Sequence, residues 1–319
     1  MRVAGLPALV LSLVAVLSVR QSAAEDLVKV ALGQRGNWDT AITQLGSQAG
    51  IFKKHGLALE LLYTSGGGET QQAVISGSVD IGAAAGFYGV LGAYSKGAPV
   101  RIIGAEATGA ADYWYVPTVS AIKTLKDTDG KTVAYSTNGS STHSVVLAFI
   151  KEFDLKAKPV ATGNPASTLT QVMSGQVDVG WAAPPFGLKE LEEGKIRILA
   201  RANDALIVRG QTIRLLITST PVLQSRKDVL VRFMDAYREA IDYMYSDQQA
   251  IKDYAKFIDS SEAMAQRVRD DFFPKSLLDP DEIKGLDAIV PEAVTLKFTA
   301  APLTREQLSE LIQIPPRRN

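Results

Sequence analysis

Cysteine is absent from all 319 residues, which excludes disulfides, thiolate metal sites, a cysteine nucleophile and an acylated lipoprotein cysteine. Stability must then come from packing. Histidine occurs only as His55 and His143, too few for a histidine-rich metal site, so neither metal nor cofactor is expected. An excess of charge of one sign is missing as well: Lys and Arg number 34 and Asp and Glu 34. The basic face that a nucleic-acid binder normally carries is therefore not indicated. Small molecules and proteins remain as partners. Long apolar runs are scarce too, and beyond the first two dozen residues none is long enough to span a bilayer.

What those first residues hold is the layout of a secretory leader. Arg2 supplies a positive charge, residues 8–19 are apolar apart from Ser12 and Ser18, and Ser22-Ala23-Ala24 is a small-residue cleavage site. A membrane anchor would need roughly 18 to 20 apolar residues, so cleavage near Ala24 and a periplasmic location are expected. Removing 1–24 takes away Arg2 and Arg20 and leaves 32 basic against 34 acidic side chains. The remaining 295 residues can bury a large core and divide into two lobes.

An internal repeat organises the chain. Ser76-Gly77-Ser78-Val79-Asp80-Ile81-Gly82 recurs 98 residues later as Ser174-Gly175-Gln176-Val177-Asp178-Val179-Gly180. Helical segments over 69–75 and 167–173 precede the copies, and an apolar strand running into small residues follows each. Upstream, the pattern predicts a strand over 28–32, a helix over 40–54 and a strand over 58–63. The second copy repeats this with 131–135, 142–153 and a short strand near 159–161. Strands alternating with helices imply βαβ units on mainly parallel sheets covered on both faces, hence two α/β lobes. Each Ser-Gly glycine suits a helix stop in the left-handed region, which accounts for the motif without any ligand. A strand over 212–218 and helices over 226–245, 260–272 and 304–312 complete the pattern. Returning these to the first lobe gives a discontinuous unit of 25–108 plus 210–319 around a second lobe of 109–209.

Several stretches together resemble a known family. Gly50-Ile51-Phe52-Lys53-Lys54-His55-Gly56-Leu57 is similar to its helix end followed by glycine and strand, Gln72-Ala73-Val74 through Asp80-Ile81-Gly82 to its most recurrent block, and Leu125 with Gly130-Lys131-Thr132-Val133 to the start of its second lobe. The chain thus resembles the periplasmic solute-binding proteins of nitrate, sulfonate and taurine type. That resemblance implies the two-lobed type II periplasmic-binding-protein fold, each lobe a mainly parallel sheet flanked by helices, with the C-terminal helices on the first lobe. It also implies capture of a small solute between the lobes, hinge closure, and delivery by a monomer to an ABC permease in the inner membrane. Sensing for a membrane receptor, or a pyrimidine-synthase-like enzyme on the same scaffold, are the alternatives. No nucleophile with a base, metal-ligand cluster or phosphate loop is arranged in the sequence, and Gly66-Gly67-Gly68 lacks the P-loop lysine.

Ligands of open α/β sheets sit beyond the carboxyl ends of the strands, which selects five loops. Asn37 and Trp38 follow the first strand, where Trp38 is either a cleft face or core. Gly67 and Gly68 allow close backbone approach or serve as a connector. Ala85, Gly86 and Phe87 follow the motif strand, with Trp181 opposite in the second copy. Asn138, Ser140, Ser141 and Thr142 form a hydroxyl-rich turn entering a helix, either a plain cap or an anion seat. His143, in its first turn, could donate to an anion or simply pack. Arg214, in the return strand, could fork onto a carboxylate or sulfonate or form a salt bridge. The crossovers 107–113 and 202–210 should act as hinges, beside the aromatic run Tyr113-Trp114-Tyr115. The expected ligand is a small organic anion, a sulfonate or an aromatic carboxylate, with its charge toward Ser140 to Thr142 and its body near Trp38 and Trp181.

Overall fold

A computed structural model of the protein describes residues 25–318; the leader and its cleavage site lie outside the described residues. The first sheet contains β1 (Asp26–Gly33), β2 (Leu57–Thr64), β3 (Ile81–Gly86) and β4 (Val100–Thr108). Five further strands and a return strand follow: β5 (Tyr113–Pro117), β6 (Thr132–Tyr135), β7 (Lys158–Ala161), β8 (Gly180–Ala182), β9 (Ile196–Arg201) and, last, β10 (Thr212–Ser219), which rejoins the first sheet. That sheet runs β2-β1-β3-β10-β4, with β1 parallel to β2 and β3 and only β10 reversed. Its central strands are buried along nearly their whole length, as both-face coverage demands of runs such as Ile-Gly-Ala-Ala-Ala-Gly.

Helices supply that coverage. Ile42–Gln48, Lys227–Ser246 and Gln248–Phe257 pack an apolar cluster on one face, while Phe87–Ser95, Leu286–Thr295 and Arg305–Leu311 pack another on the opposite face. In Lys227–Ser246 the buried positions Leu230, Phe233, Met234, Tyr237, Ile241 and Met244 recur at helical spacing and form one stripe. The second lobe has its own core around Trp114, Phe149 and Trp181. Its strands are mixed: β5 is antiparallel to β8 and β9, β6 is parallel to β7, and a parallel bridge between Val133 and Val179 links the two groups. Among the described residues no helix is long and apolar enough to cross a membrane.

The repeated motif has a structural job. Gly77 and Gly175 end their helices at φ +75° and +76°, the left-handed stop that glycine tolerates. The motif aspartates then reach sideways, Asp80 accepting from the Lys29 amide at 2.8 Å and Asp178 from the Thr132 amide at 2.9 Å. Each copy thereby ties its strand to the neighbouring one. The helix expected over 40–54 is broken instead, into a 3-10 turn Asp39–Ala41 and helices Ile42–Gln48 and Ile51–Lys54, because Gly50 turns left-handed at φ +74°. Helices Gly67–Ile75, Ser141–Glu152, Pro165–Met173, Glu262–Phe272 and Arg305–Leu311 fall within a few residues of expectation.

Candidate ligand-binding cleft

The carboxyl ends of β1, β2 and β3 face the second lobe, and the sequence there is built for close approach. A Cβ at Gly68 would overlap the Asn138 carbonyl oxygen, and one at Gly86 or Gly89 would overlap the Gly139 carbonyl. The Gly68 amide donates to Thr137 Oγ1 at 3.0 Å. The intimacy that Gly67, Gly68 and Gly86 permit is thus made with backbone: Gly67 against Ala84, and Gly68 and Gly86 against the loop 136–141 of the other lobe.

That loop enters Ser141–Glu152 through a side-chain cap on Ser140. Ser140 Oγ accepts from the His143 amide at 3.2 Å, and Thr142 Oγ1 lies 2.9 Å from the Ser136 amide and 3.0 Å from Ser140 Oγ. Ser140, Ser141 and Thr142 are buried. Asn138, on the exposed side, accepts from Tyr135 OH at 2.6 Å. Behind it Tyr135 stacks on His143 at 4.3 Å, and His143 meets Phe298 edge-on at 5.7 Å. Burial lowers the His143 pKa to about 4, so the ring is neutral, and its Nδ1 faces the Gly139 amide at 3.2 Å.

Beneath the seam lies a buried charge cluster. The Arg214 guanidinium, from β10, forks between Asp39 and Asp112, the latter at 2.6 Å, and its Nε donates to Ser141 Oγ at 3.2 Å. Burial alone would lower the pKa of Arg214, but the carboxylates of Asp112, Asp39 and Glu106 raise it above its usual value. Burial pushes Asp112 up while Arg214 opposes it. Glu106 is fully buried and is pushed up to about 8 by burial and then by Asp39; one of its oxygens accepts from the Ala84 amide, whose residue sits at φ +62°. Of the two alternatives for Arg214, the structure has the salt bridge.

The expected aromatic faces are core. Trp38 is fully buried, its Nε1 donating to Tyr245 OH at 3.0 Å with Tyr254 edge-on at 4.8 Å. Phe87 and Trp181 are fully buried too, as are Ala85 and Asn37. Sequence reasoning could not separate a buried from a lining tryptophan because both follow a strand into a glycine-rich loop.

Open space between the lobes lies to one side of the seam. A cavity of about 450 Å³ is bounded by Arg35, Phe257 and Ile258 from the first lobe and Leu169, Phe186 and Glu190 from the second. A second, of about 380 Å³, adds Tyr63, Ser65 and Glu69. Both share Arg35, Pro165, Ala166 and Phe186, and neither is lined by any of the thirteen residues singled out from sequence. Arg35 and Phe186, which line both cavities, were not among those thirteen. The available signal was a basic residue two positions after the first strand and two before the chosen Asn37.

A family model described as NMT1/THI5 like matches residues 37–251. Among solved structures, the alkanesulfonate-binding protein SsuA from Xanthomonas axonopodis pv. citri, bound to MOPS, superposes with TM-score 0.76 at 21% identity over 92% of this chain and 100% of that one. The periplasmic aliphatic sulphonate binding protein SsuA from Escherichia coli gives 0.65 at 19% identity over 93% and 94%. The periplasmic nitrate-binding protein NrtA from Synechocystis PCC 6803 gives 0.69 at 11% over 91% and 86%. These likenesses establish the shared fold. No curated protein matches the chain.

Proposed function

The chain belongs to the NMT1/THI5-like family, and from that premise we propose that it is the extracytoplasmic solute-binding receptor of an ABC importer, taking a small organic anion between its lobes. The observation that carries this reading is the roughly 450 Å³ cavity whose walls come from both lobes, so that a ligand there would join them. Lobe 1 comprises 25–108 and 210–319 and lobe 2 comprises 109–209. Closure bends the two passages between β4 and β5 and between β9 and β10, which touch through the Gly109 amide and the Gln211 carbonyl at 2.7 Å. After loss of 1–24 the protein works as a periplasmic monomer and hands its ligand to a permease. The printed ligands of the solved relatives, alkanesulfonate and nitrate, support an anionic class.

The test is a thermal-shift screen of residues 25–319 against sulfonates, nitrate, aromatic carboxylates and uncharged heterocycles. A ligand at about 100 times its dissociation constant adds about 2.7 kcal/mol, which raises the midpoint by several degrees. A rise confined to uncharged heterocycles would remove the anion from this reading and leave the receptor.

A further inference from the structure

We propose that Arg35 is the counter-ion for the ligand's acid group, and that the preferred ligand is a flat monoanion such as an arenesulfonate or arenecarboxylate. This rests on the receptor reading above and names its ligand class.

Arg35 is an exposed cation with no carboxylate within 4.0 Å among the described residues. What holds it is aromatic: its guanidinium carbon lies 4.6 Å from the centre of the Phe257 ring and 5.9 Å from that of Tyr63. Ring faces attract a cation without using its hydrogen-bonding edge. One N–H points toward the Phe257 carbonyl at 3.5 Å, another interacts with the Tyr63 hydroxyl, and the planar group still offers further donors of the kind that fit a carboxylate or sulfonate.

The loop bearing Arg35 is unusually constrained. Gln34 sits at φ +86°, which a residue with a side chain keeps only where its surroundings enforce it, and Gly36 at φ +109°, which glycine tolerates. Gln34 donates its amide to the Thr64 carbonyl at 3.1 Å, and Tyr254 OH donates to the Gly36 carbonyl at 2.8 Å. Across the gap, the Phe186 ring packs on Gly36 so closely that a Cβ there would lie 3.1 Å from it. A flat body entering beside Arg35 therefore meets Phe257 and Tyr63 on one side and Phe186 and Pro165 on the other.

At the rival anion seat, the amino terminus of Ser141–Glu152, Ser140 caps the His143 amide, Arg214 donates to Ser141 Oγ, and Gly86 and Gly89 pack against the backbone of Gly139 to Ser141. Glu69, Glu190 and Asp259 line the same cavities as Arg35, with Lys189 the one other cation of that lining, set beside Glu193 at 4.0 Å. They disfavour a second negative charge on the ligand.

Isothermal titration of residues 25–319 with benzenesulfonate, ethanesulfonate, nitrate and benzene-1,3-disulfonate tests this. The wild type should bind benzenesulfonate most tightly and the disulfonate at least tenfold more weakly. Loss of a charge-assisted bond predicts a fall of about 10- to 100-fold for Arg35→Met, with partial recovery in Arg35→Lys and an unchanged unfolding midpoint of the free protein. Wild-type affinity in Arg35→Met, a larger loss in Ser141→Ala, or equal binding of the disulfonate would each overturn the assignment while leaving an anion receptor. A wild type that binds none of these anions would overturn this assignment together with the anionic ligand class and leave the receptor reading to the thermal-shift screen, and that arm is read before any variant.

Discussion

Arg214 joins, through single contacts of one side chain, the first turn after β1 (Asp39), the crossover (Asp112) and the second-lobe helix (Ser141). Removing one member of such a buried group costs more than the pair contributes, because its partners stay desolvated and unpaired. Arg214→Met should therefore lower the free energy of unfolding by about 3–5 kcal/mol, read from urea denaturation; a loss below about 1 kcal/mol would mean that the cluster is hydrated. Glu106 and His143 set the pH dependence in opposite directions. The folded pKa of Glu106, about 8, lies above the ordinary 4.5, so the fold prefers the neutral acid. Its stability is full below about 4.5 and declines as pH rises towards about 8. Glu106→Gln should flatten that decline and be the more stable protein at pH 8. For His143 the folded pKa, about 4, lies below 6.5, so its contribution is present above 6.5 and lost as pH falls towards 4. His143→Phe should flatten that acid limb. The sequence makes Arg214, His55 and His143 visible as chemistry but not as partners, since Asp39 and Asp112 lie 175 and 102 residues from Arg214. Contact at such separations is decided by the fold, and a lone arginine in an apolar strand reads equally well as ligand contact or ion pair.

Elements were more legible than pairings because their signals are local. The repeated Ser-Gly-x-Val-Asp block marks a helix stop and a strand start twice over, and the amphipathic period of Lys227–Ser246 needs no tertiary knowledge. The exception, the break at Gly50, turns on one residue taking positive φ, which glycine permits without requiring. The role of the glycine loops was illegible for a related reason. Gly67, Gly68 and Gly86 announce that something approaches the backbone, and a sequence cannot say whether a ligand or the other lobe does so. In the structure it is Asn138 and Gly139 that approach Gly68, Gly86 and Gly89. That contact makes the seam testable as an element. Gly89→Ala places a methyl where the Gly139 carbonyl now lies, forcing the helix Phe87–Ser95 and the loop 136–141 apart. Small-angle scattering should show a larger radius of gyration than wild type, with weaker ligand binding because fewer molecules are closed. An unchanged radius together with unchanged affinity would mean that the loop yields locally and the seam does not set the lobe angle.

At the scale of the molecule, the lobes meet along one line of contacts and part along another, so the closure proposed above would be a rotation about the first that narrows the second. Fixed contacts include the two passages bonded through Gly109 and Gln211, the Arg214 cluster, and the Lys151–Glu292 pair at 3.5 Å between helices of the two lobes. The open side carries the cavity, and at its mouth Arg267 pairs with Glu192. Arg267 follows the cavity-lining Met264 by three residues, and Glu192 follows the lining Glu190 by two. This clasp joins the two lobes beside the cavity proposed for the ligand. Both side chains are about half exposed, 43% and 50%, so the pair contributes little to folding, about 0–1 kcal/mol in such settings. Its effect should fall on the open and closed populations instead. Glu192→Lys turns attraction into repulsion at the mouth and should leave the unfolding midpoint within error, while raising the ligand dissociation rate about two- to fivefold, as expected of a term below 1 kcal/mol. Salt should erase most of the difference, since the screening length falls from about 10 Å at 0.1 M to about 3 Å at 1 M. Stopped-flow dissociation at the two ionic strengths measures both effects. Equal rates for wild type and variant at 0.1 M would show that closure is held by the seam and the ligand alone.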